Sequence, residues 1–217
     1  MSKYADLCFR LFQKYYLKHF SKGRYVELNY RLFKTFIKCI GINNFENINM
    51  SGEKWMIDIL LKKKYRFQNG CVFIDVGANV GKFAKEVLIA YPQAQGYLFE
   101  PNPSSYQKLQ SNHELRSAQK FNYGCGERNE VMKFYDRADI DGSSYASLYP
   151  EVISSIHKKS LVEIQVEIIA LDSFCKNMQI SKIDFLKIDT EGHELAVLKG
   201  ASDLISNNLS FLQNPKN

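Results

Sequence analysis

A short apolar run that leads into a glycine-containing turn constrains the fold of this chain more than any other feature. The run occupies residues 71–74, and the turn follows at residues 75–81 with the sequence Asp-Val-Gly-Ala-Asn-Val-Gly. A continuous apolar run of this length is typical of a parallel strand that is covered on both faces. Apolar residues then recur at helical spacing over residues 80–91. A strand, a tight turn and a helix in this order predict the first unit of a parallel α/β sheet.

The same rhythm of strand and helix continues along the chain. Further apolar runs predict strands at residues 96–99, 120–123 and 183–188, and helical spacing follows at residues 103–113 and about 191–199. Crossovers between parallel strands are right-handed. We therefore predict an α/β fold with a doubly wound, mainly parallel, Rossmann-like sheet.

An insertion interrupts this rhythm. Residues 131–135 and 162–170 alternate apolar and polar side chains, which predicts an antiparallel pair of strands. The polar stretch between them, residues 141–149, is interpreted either as a lid over a binding site or as a surface loop.

The N-terminal third of the chain differs in charge from the rest. Residues 1–70 carry 14 Lys and Arg against 5 Asp and Glu, whereas residues 71–217 carry 15 against 18. Helical spacing predicts helices over residues 3–20 and 25–40, and a third that begins at Ser51. We therefore predict a helical appendage over the first range and an α/β domain over the second.

This excess of positive charge can indicate a segment that binds nucleic acid or a membrane surface. However, aromatic residues are mixed with the lysines and form no known nucleic-acid-binding motif. We interpret the charge as the solvated basic face of a helical cap, and we expect no nucleic-acid partner.

The cysteines and the lack of long apolar runs indicate the cytoplasm. Five cysteines are spread singly, without a Cys-x-x-Cys pair. This pattern argues against a disulfide framework and a zinc site and favours a reducing compartment. No stretch approaches the roughly 20 apolar residues that a membrane-spanning helix needs, and the N-terminus has no secretory signal. We expect a cytoplasmic protein without a transmembrane segment.

The first strand-to-helix turn has the residue types of a ligand-binding loop, because ligands of open α/β sheets bind beyond the carboxyl ends of the strands. Gly77 can adopt a positive φ, Asn79 tolerates a left-handed conformation, and Gly81 permits a close contact where the helix begins. The spacing is not the GxGxxG that binds a dinucleotide pyrophosphate. It favours a ligand with a nucleoside and a carboxylate but no phosphate. The alternative is a plain turn without a ligand.

The segments that follow the next two strands add further candidates. Glu100 lies 23 residues after Gly77, where an acidic side chain can accept hydrogen bonds from both ribose hydroxyls of a nucleoside. The alternative is a solvated carboxylate. Asn102 belongs to the same candidate donor segment and is also the predicted N-cap of the next helix. Cys125 either borders the base or fills the core.

Three ordered segments, residues 73–81, 99–103 and 186–194, resemble the FkbM-type methyltransferase family. Residues 51–55 and 198–201 extend the resemblance over most of the chain after residue 50. It implies a class I methyltransferase sheet with S-adenosylmethionine as the methyl donor. It also implies O-methylation of a small-molecule or glycan acceptor, often at a sugar hydroxyl in glycan or natural-product synthesis.

The resemblance implies roles for individual residues as well. The family's donor-binding motif falls on Asp75, Gly77, Asn79, Gly81 and Glu100. The family's second signature, which lies beside the acceptor, falls on Lys187, Asp189, Glu191 and Glu194.

Methyl transfer to a hydroxyl requires a base, because the acceptor oxygen must lose its proton. Asp189 is the first candidate and His193 the second, since the ordinary pKa of histidine suits neutral pH. Asp189 and Glu191 could instead hold a divalent cation such as Mg²⁺ that acidifies the hydroxyl. A third interpretation is that Glu191 only caps the next helix.

The C-terminal segment departs from the family pattern. After a short apolar segment at residues 209–212 the chain continues with Pro215 and polar residues, where further strands are expected. We therefore expect a sheet with truncated C-terminal strands and either a homo-oligomer or a marginally stable monomer. Two alternatives in function remain: a non-catalytic remnant of such a domain, and an NAD-type oxidoreductase, against which the missing GxGxxG argues.

Overall fold

A computed structural model of the protein describes residues 3–39, 53–58, 70–137, 148, 161–207 and 212–213. The chain divides into two compact units, Met1–Trp55 and Met56–Asn217. None of the helices within the described ranges is long and apolar enough to cross a bilayer. The predicted boundary after residue 70 stays a prediction, because residues 59–69 lie outside the described part.

The first unit is helical. Helix α1 covers Lys3–Phe20, a 3₁₀ helix covers Gly23–Tyr25, helix α2 covers Val26–Cys39, and the short helix α3 covers Glu53–Trp55. The Tyr16 hydroxyl donates to Asn29 Oδ1 at 2.7 Å, and Asn29 Nδ2 donates to the Phe20 carbonyl at 2.8 Å. These two bonds fix the turn between α1 and α2. Most of the helix predicted from Ser51 lies outside the described residues.

The second unit is an α/β domain. Its described strands are β1 (Val72–Val76), β2 (Gln95–Phe99), β3 (Gln119–Phe121), β4 (Gly124–Cys125), β5 (Glu130–Arg137), β6 (Leu161–Ile169), β7 (Phe185–Ile188) and β8 (Leu212–Gln213). Its described helices are α4 (Lys82–Ala90), α5 (Pro103–Ser111), a 3₁₀ helix (His113–Leu115), α6 (Leu171–Asn177), α7 (Glu194–Lys199) and α8 (Ser202–Asn207).

Five parallel strands form the central sheet in the order β3-β2-β1-β7-β8. The strand order reverses beside β1, since β2 lies on one side of it and β7 on the other. This arrangement confirms the predicted α/β fold with a doubly wound parallel sheet. The strand expected near residues 209–212 is represented by Leu212–Gln213, which pairs with β7. The expected homo-oligomer stays a prediction.

The core forms where apolar strands meet the apolar sides of the helices. Phe73, Ile74, Phe185 and Leu186 are fully buried in the two central strands, as expected for strands covered on both faces. Phe83 of α4 packs on Phe185, with ring centroids 5.8 Å apart. Each buried side chain of this size contributes roughly 1.5–3 kcal/mol to folding, so the central strands form a rigid platform.

The inserted strands form a second, three-stranded sheet in the order β4-β6-β5. Strands β5 and β6 pair antiparallel from Glu130↔Ile168 to Arg137↔Leu161, which confirms the predicted pair. The parallel pairing of β4 with β6 was not predicted. Except for Leu148, the polar stretch interpreted as a lid or surface loop lies outside the described residues.

One helix begins later than its sequence predicts. Helix α7 was expected from about residue 191, but it begins at Glu194. Glu191 and Gly192 adopt positive φ angles of 53° and 113°, which are incompatible with a right-handed helix. The interpretation that Glu191 caps this helix is therefore wrong, because Glu191 lies in the preceding left-handed turn.

Candidate active site

The residues that follow β1, β2 and β7 lie at one edge of the sheet. Asp75 is paired in register with Lys187, and Val76 is paired with both Phe99 and Ile188. The strands are parallel, so their carboxyl ends meet at this edge. The structure thus brings together the turn at residues 77–81 and the segments that begin at Glu100 and Asp189, as the sequence predicted.

The turn after β1 is left-handed at three positions. Gly77, Asn79 and Gly81 have φ angles of 80°, 49° and 83°. The backbone N–H groups of Gly77 and Ala78 both donate to the Phe99 carbonyl, at 3.0 and 2.9 Å. A Cβ on Gly77 would lie 1.9 Å from the Asp189 carbonyl oxygen, and a Cβ on Gly81 would lie 2.1 Å from Leu115 Cδ1. Glycine is therefore required at residue 77, where a Cβ would meet backbone atoms, and is favoured at residue 81 by the positive φ, as the conformational argument predicted.

Glu100 holds this turn through its carboxylate. Its Oε2 accepts a hydrogen bond from the Asn79 backbone N–H at 2.8 Å, and its Oε1 accepts one from the Asn102 N–H at 2.9 Å. Burial raises the pKa of Glu100 to about 7, although the two backbone bonds act in the opposite direction. A carboxylate has about four acceptor positions, so each oxygen retains capacity for a ligand. The predicted ribose contact of Glu100 stays a prediction.

Asn102 joins this corner to the inserted sheet. Its Oδ1 accepts hydrogen bonds from the Ser104 and Ser105 N–H groups at 2.9 and 3.4 Å, which confirms the predicted N-cap of α5. Its Nδ2 donates to Asp136 Oδ2 of β5 at 2.6 Å, and both residues are buried. Asp136 was missed from sequence, because no local pattern indicates which residue 34 positions away becomes the partner.

A buried ion pair lies beneath the edge. Lys187 Nζ is 3.0 Å from Asp75 Oδ1 and 3.8 Å from Asp189 Oδ2. Burial raises the pKa of Asp75, and attraction to Lys187 partly offsets this effect. Asp75 Oδ2 is buried and has no hydrogen-bond partner among the described residues. The Asp75–Lys187 contact was not predicted, although a lysine inside an apolar strand signals a buried acidic partner.

Three side chains that follow β7, those of Asp189, His193 and Glu194, lie in different environments. The side chain of Asp189 is 35% exposed, which leaves it accessible to a second molecule. His193 is buried beside Gly126, and burial lowers the pKa of its imidazole against the opposing effects of Glu194 and Glu130. Glu194 Oε1 accepts hydrogen bonds from the backbone N–H groups of Thr190 and Gly192 at 3.2 and 3.1 Å. Asp189 is thus the candidate base with the greater access to an acceptor.

The sequence suggested a divalent cation at Asp189 and Glu191. No group of three or more His, Cys, Asp or Glu side chains among them is placed to hold a metal ion. The ammonium group of Lys187 already lies 3.8 Å from Asp189 Oδ2. The divalent cation suggested for Asp189 and Glu191 stays a prediction.

Cys125 lies in the core rather than along an open surface. Its side chain is 2% exposed within the hydrophobic cluster that includes Val76 and Ile188. Burial raises the pKa of its thiol well above the usual value. This environment favours the packing interpretation of Cys125, and its proposed contact with an adenine base stays a prediction.

The edge described above lies within a recognisable sequence domain. Residues 75–213 match the model of the methyltransferase FkbM domain. The chain belongs to the FkbM methyltransferase family. The matched range contains the whole of the turn after β1, Glu100 and the acidic segment after β7, which agrees with the resemblance seen in the sequence. Membership of the FkbM family also favours methyl transfer over the hydride-transfer alternative.

Curated relatives of this FkbM domain are named methyltransferases. "Methyltransferase 1" of Beauveria bassiana is 26% identical over 151 residues, which cover 63% of this chain and 61% of the relative. "Hexuronic acid methyltransferase AglP" of Haloferax volcanii is 26% identical over 158 residues, or 72% of this chain and 59% of the relative. "2-O-methyltransferase NoeI" of Sinorhizobium fredii is 27% identical over 148 residues, or 62% and 59%. The matches thus span about three fifths of the length of these relatives.

Proposed function

We propose that this protein transfers a methyl group from S-adenosylmethionine to a hydroxyl of a sugar or of a natural product. The observation that carries the proposal is the left-handed turn at residues 77–81, held by Glu100 on one side and abutting Asp189 on the other. One FkbM domain therefore contains a candidate nucleoside site and an accessible carboxylate at neighbouring positions.

The polar atoms of the turn suit this donor. The oxygens of Glu100 retain acceptor capacity for two ribose hydroxyls. Asp75 Oδ2 is a buried acceptor without a partner among the described residues, and an unsatisfied acceptor of this kind is unfavourable unless a ligand or water completes it. Asn79 and Asn102 are held beside Glu100 by their backbone N–H groups. We assign Asp75, Gly77, Asn79, Gly81, Glu100 and Asn102 to the donor site.

The proposed reaction is an in-line displacement. The donor supplies a methyl group activated by a positively charged sulfur. The acceptor oxygen forms a bond to the methyl carbon as the carbon–sulfur bond breaks, and the electrons of that bond remain on sulfur. The hydroxyl proton passes to the Asp189 carboxylate, which acts as general base. Much of the rate then comes from holding the two reactants in line.

The choice of Asp189 as base rests on access. Its side chain is 35% exposed, whereas His193 is 6% exposed and Asp75 is fully buried. His193 is the second candidate, since its lowered pKa keeps the imidazole neutral and able to accept a proton at pH 7. Glu191 lies in the turn between them and is proposed to contact the acceptor. In the proposed step the Asp189 carboxylate takes the proton directly, and no group of three or more metal ligands lies among the described residues.

The names of two relatives agree with a sugar acceptor and with transfer to oxygen. One is named for hexuronic acid and another for 2-O-methylation. The compartment proposed for this reaction is the cytoplasm, which agrees with Cys8, Cys71, Cys125 and Cys175 being free thiols.

Labelled methyl transfer tests the proposed function. The full chain is incubated with donor carrying an isotopically labelled methyl group and with a panel of uronic-acid and deoxysugar glycans. We expect label in one class of glycan, bound as a methyl ether, and loss of the transfer with Asp189→Asn. Calorimetry with the demethylated donor tests the donor site separately. Absence of donor binding would contradict the assignment, whereas binding without transfer to any acceptor would favour the non-catalytic alternative.

A further inference from the structure

Helices α1 and α2 expose an unusual number of aromatic side chains. Phe9, Phe12 and Tyr15 of α1 and Tyr30, Phe33 and Phe36 of α2 are each 52% to 64% exposed. Soluble proteins seldom display contiguous apolar surface of this kind unless it binds something. From residue 8 to residue 37 no side chain is buried. The two helices therefore have no core of their own in this range, and short helices depend on packing of their apolar side for stability.

Four aromatic residues of α1 share one side of the helix, and Tyr15 lies at the border of that side. At about 100° per residue, Phe9, Phe12, Tyr16 and Phe20 lie along one side, and Tyr16 stacks on Phe20 with centroids 4.9 Å apart. The basic residues Arg10, Lys14 and Lys18 lie on the opposite side, together with the exposed Leu11. Helix α1 is thus amphipathic, with an aromatic side and a basic side.

Helix α2 repeats this arrangement. Val26, Phe33, Phe36 and Ile37 lie on one side, while Arg31, Lys34 and Thr35 lie on the other. The Lys34 ammonium lies 4.2 Å from the centroid of the Tyr30 ring, at the border between the two sides. The contacts of Asn29 with Tyr16 and Phe20 hold the turn between the helices and leave the aromatic residues towards their far ends exposed.

The charge of this segment identifies its partner. Residues 3–39 contain nine Lys and Arg against two Asp and Glu, a net charge of +7. A second copy of the chain would place the same positive charge against it, which is unfavourable. An anionic lipid surface instead attracts each basic residue and accepts the aromatic side into the boundary between headgroups and acyl chains. The basic side, which the sequence analysis interpreted as solvated, would contact the anionic headgroups. The exposed aromatic side would enter the boundary between headgroups and acyl chains.

We propose that α1 and α2 form a membrane-surface anchor that lies on anionic lipid bilayers. The aromatic sides enter the interface, and the lysines and arginines remain at the level of the charged headgroups. The anchor lies on the bilayer and does not span it, in agreement with the lack of a membrane-spanning helix among the described residues. This inference rests on the first unit and is independent of the proposed methyl transfer.

Vesicle flotation tests the anchor with the full chain. The protein is mixed with phosphatidylcholine vesicles that either contain or lack phosphatidylglycerol. We expect flotation with the anionic vesicles only, and release as added salt screens the surface. The variant Arg10→Glu/Lys14→Glu/Lys18→Glu should lower partitioning by at least a factor on the order of 100, since each lost basic residue contributes about 1 kcal/mol and each glutamate adds repulsion.

A matched variant controls for the change in net charge. Lys108, Arg116 and Lys176 are exposed residues of the second unit, and Lys108→Glu/Arg116→Glu/Lys176→Glu makes the same charge change there. We expect it to float like the wild type, with both variants giving the wild-type circular dichroism spectrum. Equal loss in the two variants, equal binding to both kinds of vesicle, or binding to neither would overturn the proposal.

A pair of tryptophan substitutions tests which side enters the lipid. Phe33→Trp places the probe on the aromatic side of α2, and Thr35→Trp places it on the basic side. Brominated acyl chains should quench the added fluorescence of the first variant and leave that of the second unchanged. Equal quenching would overturn the proposed orientation. A wild-type dimer that Phe33→Ser converts to a monomer would show that the aromatic side covers a second copy and would also overturn the proposal.

Discussion

Gly77 lies against the backbone of Asp189 so closely that a Cβ at residue 77 would be 1.9 Å from the Asp189 carbonyl oxygen. The candidate donor turn and the candidate base are therefore in direct backbone contact across β1 and β7. A shift of the turn at Gly77 would therefore also move the backbone of Asp189. In the proposed reaction, this main-chain packing would set the distance between the donor and the base.

The first prediction uses this contact. Gly77→Ala introduces both a strained positive φ and a collision with backbone atoms, whereas Gly70→Ala introduces the strain alone, because Gly70 has a φ of 87° and nothing within 4 Å of its Cβ position. We expect Gly70→Ala to destabilise by about 1–2 kcal/mol. Gly77→Ala should destabilise by at least about 2 kcal/mol more. Denaturant unfolding measures both, and equal losses would show that the contact with Asp189 contributes nothing.

The second prediction concerns the affinity for donor. Glu100→Ala should weaken binding of the demethylated donor by a factor on the order of 30–150, since hydrogen bonds to a charged group contribute about 2–3 kcal/mol together. Calorimetry at pH 8 measures the change. Because Glu100 also holds Asn79 and Asn102, the thermal melting of the variant is measured in parallel. Unchanged affinity in the folded variant would rule out the ribose contact.

The third prediction concerns the pH dependence of that affinity. The pKa of Glu100 is raised to about 7 by burial, and hydroxyl donors favour the ionised carboxylate. The protein should therefore bind the demethylated donor tightly above pH 7 and more weakly as the pH falls below 7. At pH 6 about nine tenths of the free protein is protonated at this position, so affinity should fall about tenfold from its plateau. Glu100→Ala should remove this dependence between pH 6 and 8, and a wild type with a flat profile would contradict the assignment.

The fourth prediction concerns turnover. Asp189→Asn keeps the size of the side chain but removes its ability to take a proton, so turnover should fall roughly 100-fold or more while donor binding stays nearly intact. His193→Gln, at the second candidate base, provides the comparison. A larger loss of turnover in His193→Gln than in Asp189→Asn would identify His193 as the general base. Near-normal turnover in Asp189→Asn would exclude it as the base.

The fifth prediction concerns the buried ion pair. Lys187→Met leaves Asp75 buried without its partner and should destabilise the protein by about 3–5 kcal/mol at neutral pH. Burial already raises the pKa of Asp75, and loss of Lys187 raises it further. The variant should therefore be most stable at low pH, and it should lose stability as the pH rises through the pKa of the buried Asp75. Unfolding at pH 5 and pH 8 tests this sign, and Asp75→Asn/Lys187→Met should recover much of the loss at pH 8.

Sequence alone was sufficient for the parts of the site that depend on local backbone chemistry. Gly77, Asn79 and Gly81 were expected at left-handed positions, and all three adopt them. The meeting of Glu100 and the Asp189 segment at one edge followed from the predicted parallel sheet. The FkbM family, too, was recognisable from segments that each surround a strand end.

The features of the site that could not be predicted from the sequence depend on contacts between distant segments or on an unusual backbone conformation. The partner of Asn102 is Asp136, on a strand whose register no local pattern sets. Helix α7 begins at Glu194 because Glu191, a residue type that seldom adopts a positive φ, does so here. The hydrogen bonds of Glu194 to the N–H groups of Thr190 and Gly192 support that turn. The residue type of Glu191 does not indicate a positive φ in advance.

The hydrogen bond between Asn102 and Asp136 has a consequence for how a site of this kind can diversify. Asp136 lies one residue before the end of β5, and 23 residues then separate β5 from β6. The end of β5 is fixed to the corner formed by Glu100 and Asn102. If the donor and acceptor sites lie where we propose, a variant of the segment between β5 and β6 that keeps Asp136 should change the choice of acceptor and leave the affinity for donor unchanged. Under that proposal, donor chemistry and acceptor choice would be separately heritable parts of one domain.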